Sequence, residues 1–140
     1  MSYEHLELNV DGNVATITLN RPDEANAVNL QLAKDLAYAA MECDENPAVR
    51  AIVLTGRGRF FCAGGDLAAF ADAGERAPHL LKEITTYLHA AISRLGRTDA
   101  PVIVAINGAA AGAGFSLACA GDLAIAAESA SFTMAYTRVG

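Results

Sequence analysis

The sequence predicts an α/β protein in which helices cross over between the strands of a sheet. Two observations support this prediction. Apolar segments with strand-like patterns alternate along the chain with segments whose apolar residues recur at helical spacing. In addition, each of two predicted buried strands leads into a glycine-rich loop and then into the start of a helix. The length of 140 residues suffices for one domain with a buried core.

The first part of the chain predicts a hairpin, a helix and a strand. Apolar and polar residues alternate on both sides of the turn sequence DGN at 11–13, which favours a β-hairpin. Asn29 can cap a helix that ends near Asn46, because apolar residues recur three or four positions apart between them. The continuous apolar run AIVLTG at 51–56 then predicts a strand covered on both faces.

The second part of the chain continues this alternation. Asp66 can cap a short helix that runs through Phe70. The later segments are a helix with an apolar stripe at 81–95, a buried strand at 101–108, a small apolar helix at 112–119, and strands at 122–127 and 130–135. Ligands of such sheets bind beyond the carboxyl ends of the strands, which is where both glycine-rich loops fall.

The composition argues against several classes of protein. A formal charge of −6 with only 10 scattered basic residues disfavours nucleic acid as a partner, because phosphate neutralisation needs clustered Lys and Arg. The cysteines at 43, 62 and 119 give neither a disulfide framework nor metal spacing, so we expect a cytoplasmic protein. The uncharged stretch from Val102 to Gly121 could span a bilayer by length, but its glycines and flanking aspartates favour a buried core and no membrane partner.

The two glycine-rich loops, GRGRFFCAGGD at 56–66 and NGAAAGAGF at 107–115, share one plan. Nearly bare backbone lets a ligand touch main-chain amides, and the first amides of a helix point outward. Two such amides aimed at one oxygen form an oxyanion hole, and losing one donor typically lowers the rate about a hundredfold to a thousandfold. The alternative explanation for either loop is that its glycines only permit a tight strand-to-helix turn.

Two rival motifs fit the second loop less well. The sequence GAGFSL at 112–117 lacks the third glycine of a dinucleotide-binding fingerprint and the acid that would bind a ribose. The sequence GFSLA at 114–118 is similar to the nucleophile elbow of serine hydrolases, yet all three histidines precede Ser116, whereas that elbow places its histidine after the serine. No histidine spacing suggests a metal site, so we expect no bound metal.

Three stretches together resemble the crotonase superfamily, which is the enoyl-CoA hydratase/isomerase family: LNRPDEANAVN at 19–29, IVLTGRGRFFCAGGDL at 52–67 and VIVAINGAAAGAGFSLACAGDLAIAAESASF at 102–132. The resemblance implies the α/β spiral of ββα repeats of that family, with residues 1–140 as its N-terminal portion. This portion would be an acyl-CoA-binding core without the family's C-terminal helical part. The resemblance further implies an acyl-CoA thioester as substrate, no cofactor other than the coenzyme A it carries, and a homotrimer or a dimer of trimers.

Carried over position by position, the resemblance also implies roles for individual residues. The amides of Gly65 and Ala113 would donate to the thioester oxygen. The substrate-binding residues would be Glu24, Ala25, Ala27, Arg59, Ala63, Asp66 and Leu67, with Arg59 near the phosphates of coenzyme A and Asp66 mainly capping its helix.

The sequence departs from the hydratases at their two catalytic glutamates, whose positions hold Ser116 and Tyr136. Neither hydroxyl simply replaces a carboxylate that activates water, and general acid–base help is worth roughly a hundredfold to ten-thousandfold in rate. The ending FTMAYTRVG at 132–140 is similar to members that act as isomerases. We therefore expect double-bond isomerisation ahead of hydration. The alternative is a non-catalytic acyl-CoA-binding or interaction protein.

Overall fold

The structure is a computed structural model that describes residues 2–139, in which eight strands and five α-helices are found. In chain order the strands are β1 (Leu6–Asp11), β2 (Val14–Leu19), β3 (Ala51–Gly56), β4 (Phe60–Cys62), β5 (Val102–Ile106), β6 (Ala109–Ala111), β7 (Leu123–Ala126) and β8 (Phe132–Thr133). The helices are α1 (Leu30–Glu45), α2 (Leu67–Ala73), α3 (Ala77–Leu95), α4 (Ala113–Ala118) and α5 (Tyr136–Val139). Short 3₁₀ helices occupy Pro22–Glu24 and Gly74–Arg76.

The main sheet has the strand order β1-β2-β3-β5-β7 and confirms the predicted α/β fold. The first two strands form the expected antiparallel hairpin, with Gly12 of its turn in the left-handed region at φ 57°. The other strands run parallel to their neighbours, and each of these crossovers contains at least one helix. Ile17, Ile52 and Val104 are fully buried at the centre of the sheet, where the helices α1 and α3 also contribute to the core.

Helix α1 begins at the cap that the sequence predicts. The Oδ1 atom of Asn29 accepts a hydrogen bond from Leu32 N at 2.8 Å, which satisfies one of the amides that the first helical turn leaves unpaired. Asp35 lies buried on the same helix and accepts hydrogen bonds from Glu4 N and His5 N at 3.0 and 2.8 Å. The carboxylate thereby ties the chain just before β1 to the helix.

A second sheet, with the order β4-β6-β8, corrects the sequence prediction in three places. Both glycine-rich loops contain a three-residue strand, and these two strands pair in parallel. The segment 130–135 forms a strand only at Phe132–Thr133, and a helix begins at Tyr136. Strands of two or three residues carry no repeating pattern, so only their tertiary neighbours specify them.

The uncharged stretch from Val102 to Gly121 forms three separate elements and not one long helix. It contributes β5 to the main sheet, β6 to the second sheet and then α4. Val104 and Leu117 are both buried, which is the core arrangement that its glycines and flanking charges favour. Among residues 2–139, no helix combines the length and the apolar character needed to cross a membrane.

Candidate active site

Asn26 fixes the first glycine-rich loop from one side. Its side chain is fully buried, and Nδ2 donates to Arg57 O at 3.0 Å and to Phe60 O at 2.9 Å, while Oδ1 accepts from Arg21 N at 2.9 Å. Its backbone is left-handed at φ 54°, a region that asparagine tolerates better than most residues. The sequence analysis did not single out this residue, whose hydrogen bonds follow the rule that buried polar side chains find partners, most often in the backbone.

Asn107 fixes the same loop from the other side. Its Oδ1 atom accepts from Gly56 N at 3.0 Å, and its Nδ2 atom donates to Gly58 O at 3.0 Å. This asparagine follows β5 directly, so it joins the ends of two neighbouring parallel strands. The sequence analysis missed it as well. Its position at the end of a buried apolar run could have identified it, because a polar side chain that is buried there needs hydrogen-bond partners.

The two loops approach so closely that three glycines leave no room for a side chain. A Cβ atom would lie 2.0 Å from Arg59 O at Gly108, 2.0 Å from Cys62 O at Gly114 and 2.8 Å from Ala111 O at Gly64. These glycines are therefore required by packing. Close packing explains these glycines without any ligand. The argument for a ligand site depends instead on the direction of the main-chain N–H groups nearby.

The amide of Gly65 points away from the segment that pairs with it. Val28 N donates to Gly64 O at 2.7 Å, and Asp66 N donates to Val28 O at 3.1 Å, which makes a short parallel bridge at Gly65. Successive residues of such a pairing alternate the side to which their N–H and C=O groups point. The N–H of Gly65 therefore faces the side opposite Val28.

The amide of Ala113 lies beside the first loop. Ala113 is the first residue of α4, so its N–H has no partner within the helix. Its nitrogen lies 3.5 Å from the position that a Cβ atom on Gly64 would take, next in sequence to Gly65. In the described chain from 2 to 139, none of the backbone hydrogen bonds made by loops and caps is donated by Gly65 or Ala113. The structure brings the two amides onto adjacent segments, and their role as donors to a substrate stays a prediction.

Ser116 and Tyr136, to which the resemblance assigns the glutamate positions of the hydratases, meet in the structure. Ser116 lies exposed on α4, one turn after Ala113, and Tyr136 is the first residue of α5. Their hydroxyl oxygens are 3.3 Å apart, and Ser116 Oγ also lies 3.5 Å from Gly112 O. Two hydroxyls in contact therefore lie at the positions that the resemblance assigns to carboxylates.

The segment around residues 24–27 lies against the end of the first loop. Ala25 is left-handed at φ 53°, and its carbonyl accepts from Ala63 N at 3.0 Å. Ala27 is buried, and its carbonyl accepts from the guanidinium of Arg21. Glu24 ends a 3₁₀ helix and is exposed. The structure thus brings together the backbone that the resemblance assigns to substrate binding, without showing what it binds.

Arg59 and Leu67 are exposed members of the predicted substrate-binding set. The guanidinium of Arg59 is exposed and lies 5.6 Å from the centroid of the Phe60 ring. No carboxylate within residues 2–139 lies at ion-pair distance from it. Leu67 is 59% exposed at the start of α2. A cation without an acidic partner is available for a phosphate group.

Asp66 has the structural role that the sequence predicts. Its Oδ1 atom accepts from Ala69 N at 3.0 Å as the cap of α2, and its Oδ2 atom accepts from Arg21 Nη1 at 3.0 Å. Partial burial alone would raise the pKa of Asp66, but the Ala69 amide, the Arg21 guanidinium and the Ala68 amide outweigh it and hold the pKa below its ordinary value of 3.8.

We expect Asp66→Asn to remove a pH-dependent contribution to stability. Because the folded pKa lies below 3.8, the ionised carboxylate stabilises the fold fully above that pH, and the contribution is lost as the pH falls through the folded pKa. Urea denaturation between about pH 2 and pH 7 should show a difference from wild type that is largest near neutrality and shrinks below about pH 4. Asp72→Asn, an exposed position on the same helix, is the matched control. A difference that does not vary with pH would contradict the assignment.

The cysteine of the first loop is not a candidate nucleophile. Burial raises the pKa of the Cys62 thiol to about 11, against the lowering effect of a hydrogen bond with the backbone of Gly64. Cys43 lies by a cleft of about 410 Å³ near the end of α1, far from both loops, and burial and the charge of Glu42 raise its pKa to about 11. Since the thiolate is the reactive form, neither group is activated at neutral pH.

Within residues 2–139, no group of three His, Cys, Asp or Glu side chains lies close enough together to bind a metal ion.

Parallel strands that lead into two glycine-rich loops in mutual contact agree with the class of protein that the sequence resembles, the crotonase superfamily. Residues 9–140 match the family model described as enoyl-CoA hydratase/isomerase, and the chain belongs to that family. The resemblance on which the sequence analysis relied is therefore confirmed, as is the fold that it implied.

Individual relatives agree with this membership. The chain is 40% identical over 138 residues to a 1,2-epoxyphenylacetyl-CoA isomerase of Escherichia coli, covering 98% of this chain and 53% of that protein. It is 44% identical over 140 residues to a probable enoyl-CoA hydratase of Rhodobacter capsulatus, covering 100% of this chain and 52% of that protein. A solved enoyl-CoA hydratase from Polaromonas superposes with a TM-score of 0.89 at 37% identity, covering 96% of this chain and 52% of the other. The chain spans about half the length of the curated relatives it matches.

Proposed function

We propose that the protein acts on an acyl-CoA thioester and stabilises the enolate formed from it with the main-chain amides of Gly65 and Ala113. The observation that carries the proposal is the position of these amides. One is turned away from its pairing segment, and the other begins a helix against the neighbouring Gly64. Two preorganised donors at the point where negative charge develops lower the barrier without any reactive side chain.

The chemistry that we propose is movement of a double bond along the acyl chain, ahead of addition of water. Removal of a proton from the carbon next to the thioester carbonyl sends the electron pair of that C–H bond onto the thioester oxygen, where the two amides hold the charge. Return of a proton to a different carbon of the conjugated system completes the isomerisation. Among the described residues, the hydroxyls of Ser116 and Tyr136 lie within hydrogen-bond distance of each other, and that of Ser116 also of Gly112 O, but neither is hydrogen-bonded to a carboxylate. Another group must therefore carry the proton.

The remaining assignments follow the same proposal. The backbone of 24–27, together with Ala63 and Leu67, borders the site, and the exposed cation of Arg59 would bind a phosphate of coenzyme A. Coenzyme A enters with the substrate and no further cofactor is proposed. Assembly into a trimer or a dimer of trimers stays a prediction, which the mass of the protein in solution would test.

A second candidate function is binding of acyl-CoA without turnover. The specific observation in its favour is that Ser116 and Tyr136, the residues that the resemblance assigns to the two glutamate positions, hydrogen-bond to each other and are not carboxylates that could activate water.

The test is to incubate the intact protein separately with 3-enoyl-CoA and 2-enoyl-CoA and to follow double-bond movement and water addition. We expect double-bond movement to exceed hydration, because the two positions that the resemblance assigns to water-activating glutamates hold Ser116 and Tyr136. Tight binding of both thioesters without turnover would support the second candidate instead. Absence of both binding and turnover would remove the thioester assignment altogether.

A further inference from the structure

The hydroxyl pair formed by Ser116 and Tyr136 has hydrogen-bonding capacity left over for a ligand. Each hydroxyl supplies one donor and two acceptor positions. Contact between the two oxygens at 3.3 Å uses one donor, and the separation of 3.5 Å between Ser116 Oγ and Gly112 O is at the limit for a hydrogen bond. Several lone pairs therefore remain, together with an O–H donor whose only other use is the marginal contact with Gly112 O, on a surface that is open, since Tyr136 is 48% exposed.

Apolar side chains are exposed on the segment that leads to Tyr136. Phe132 and Met134 are 44% and 54% exposed, and the ring of Phe132 lies 5.3 Å from the ring of Phe115, the residue before Ser116. The two hydroxyls therefore have exposed apolar side chains among their near neighbours in sequence. A hydrocarbon chain that covered them would remove water from both without replacing its hydrogen bonds, whereas an oxygen on that chain would restore one.

The position of the pair along α4 relates it to the proposed donors. Ser116 follows Ala113 by three residues, which places it about one helical turn, or roughly 4.5 Å along the axis, from the Ala113 amide. A ligand whose thioester oxygen lies at that amide would bring its next few carbons toward the hydroxyls. This step rests on the proposed function, because it takes the thioester position from it.

We propose that Ser116 and Tyr136 form a subsite that selects acyl-CoA thioesters carrying a hydroxyl or carbonyl oxygen close to the thioester, in preference to plain hydrocarbon acyl groups. The pair acts by hydrogen bonding and not as an acid or a base. Its two members are specificity-determining residues of the proposed site. The selected class of substrate is therefore an acyl group that carries an oxygen. Two ionised carboxylates could only accept hydrogen bonds from such a group, whereas the hydroxyls can also donate one.

The test compares two thioesters of equal chain length, butyryl-CoA and 3-hydroxybutyryl-CoA, by titration calorimetry on the intact protein. Product analysis of the second thioester confirms that it stays intact during the titration. We expect 3-hydroxybutyryl-CoA to bind about tenfold more tightly, the worth of one hydrogen bond between neutral groups. Tyr136→Phe and Ser116→Ala should each reduce this preference toward unity, both by weakening the binding of 3-hydroxybutyryl-CoA and by tightening that of butyryl-CoA, because each removes a hydroxyl that a plain hydrocarbon chain leaves without a hydrogen bond. Tyr38→Phe, an exposed tyrosine on α1, is the matched control and should retain the preference.

The outcomes separate this inference from the function on which it rests. Failure of the wild-type protein to bind either thioester contradicts the proposed function. Equal affinity of the wild-type protein for both thioesters leaves the function intact and contradicts the subsite. A preference that survives in both Tyr136→Phe and Ser116→Ala, with melting temperatures near that of wild type, also contradicts the subsite.

Discussion

Replacing Gly114 by alanine is expected to lower the free energy of unfolding by about 3 kcal/mol or more, at the upper end of the range for overpacked sites. The added Cβ would lie 2.0 Å from Cys62 O, 2.7 Å from Cys62 C and 2.9 Å from Cys62 Cβ. These atoms belong to the backbone and the first side-chain carbon of a buried strand, so no side-chain rotation relieves the overlap. The better helix propensity of alanine, about 1 kcal/mol, offsets only part of this cost.

Chemical denaturation of the Gly114→Ala variant measures this loss. Gly96→Ala is the matched control, because that glycine caps α3 at an ordinary φ of −74° and the nearest atom to an added Cβ is Ile92 O at 3.3 Å. The control should shift the free energy of unfolding by less than about 1 kcal/mol. Unfolding of Gly114→Ala at the same denaturant concentration as wild type would mean that α4 and β4 are not in the close contact described.

The elements that the sequence predicts correctly are those with local causes. The hairpin at 11–13 follows from the turn residues and from alternation on both sides of them, and the structure pairs β1 with β2 across this turn. Helix α1 begins after Asn29 and α2 after Asp66, because a cap depends on residues only two or three positions away. The buried strands β3 and β5 follow from short apolar runs bounded by turn residues.

The features that the sequence does not reveal depend on distant partners. The strands Phe60–Cys62 and Ala109–Ala111 exist because each pairs with the other, and neither has a pattern of its own. Asn26 and Asn107 hold the turn between β3 and β4, although they lie 31 and 51 residues from the backbone atoms of Arg57 and Gly56 that they bond. Nothing in the local sequence around either asparagine identifies those partners.

The two explanations of the glycine-rich loops are compatible in this structure. Gly64, Gly108 and Gly114 are required for packing, since each lies against the carbonyl of the other loop. The same close approach brings Ala113 N next to Gly64 and leaves the Gly65 amide facing away from Val28. The packing therefore presents two main-chain donors on adjacent segments, which a pair of loops held apart by side chains could not do.

Replacing Ala113 by proline is expected to lower kcat for double-bond movement by about a hundredfold to a thousandfold, the usual effect of removing one oxyanion-hole donor. Ala113 is the first residue of α4, a position where proline fits the helix and removes only an amide that the helix does not use. The restriction that proline places on the residue before it is relaxed here, because Gly112 has no Cβ. The substitution thus deletes the proposed donor with little change elsewhere.

Steady-state kinetics with 3-enoyl-CoA and a thermal melt of the same variant test this expectation together. The melting temperature should stay within a few degrees of wild type, because a proline at this position costs a helix little. Ala113→Gly keeps the amide and removes only the methyl group, so it should lose much less rate than Ala113→Pro. If the proline variant folds and retains the wild-type kcat, the Ala113 amide does not hold the developing negative charge. Double-bond movement would then depend on donors outside the second glycine-rich loop.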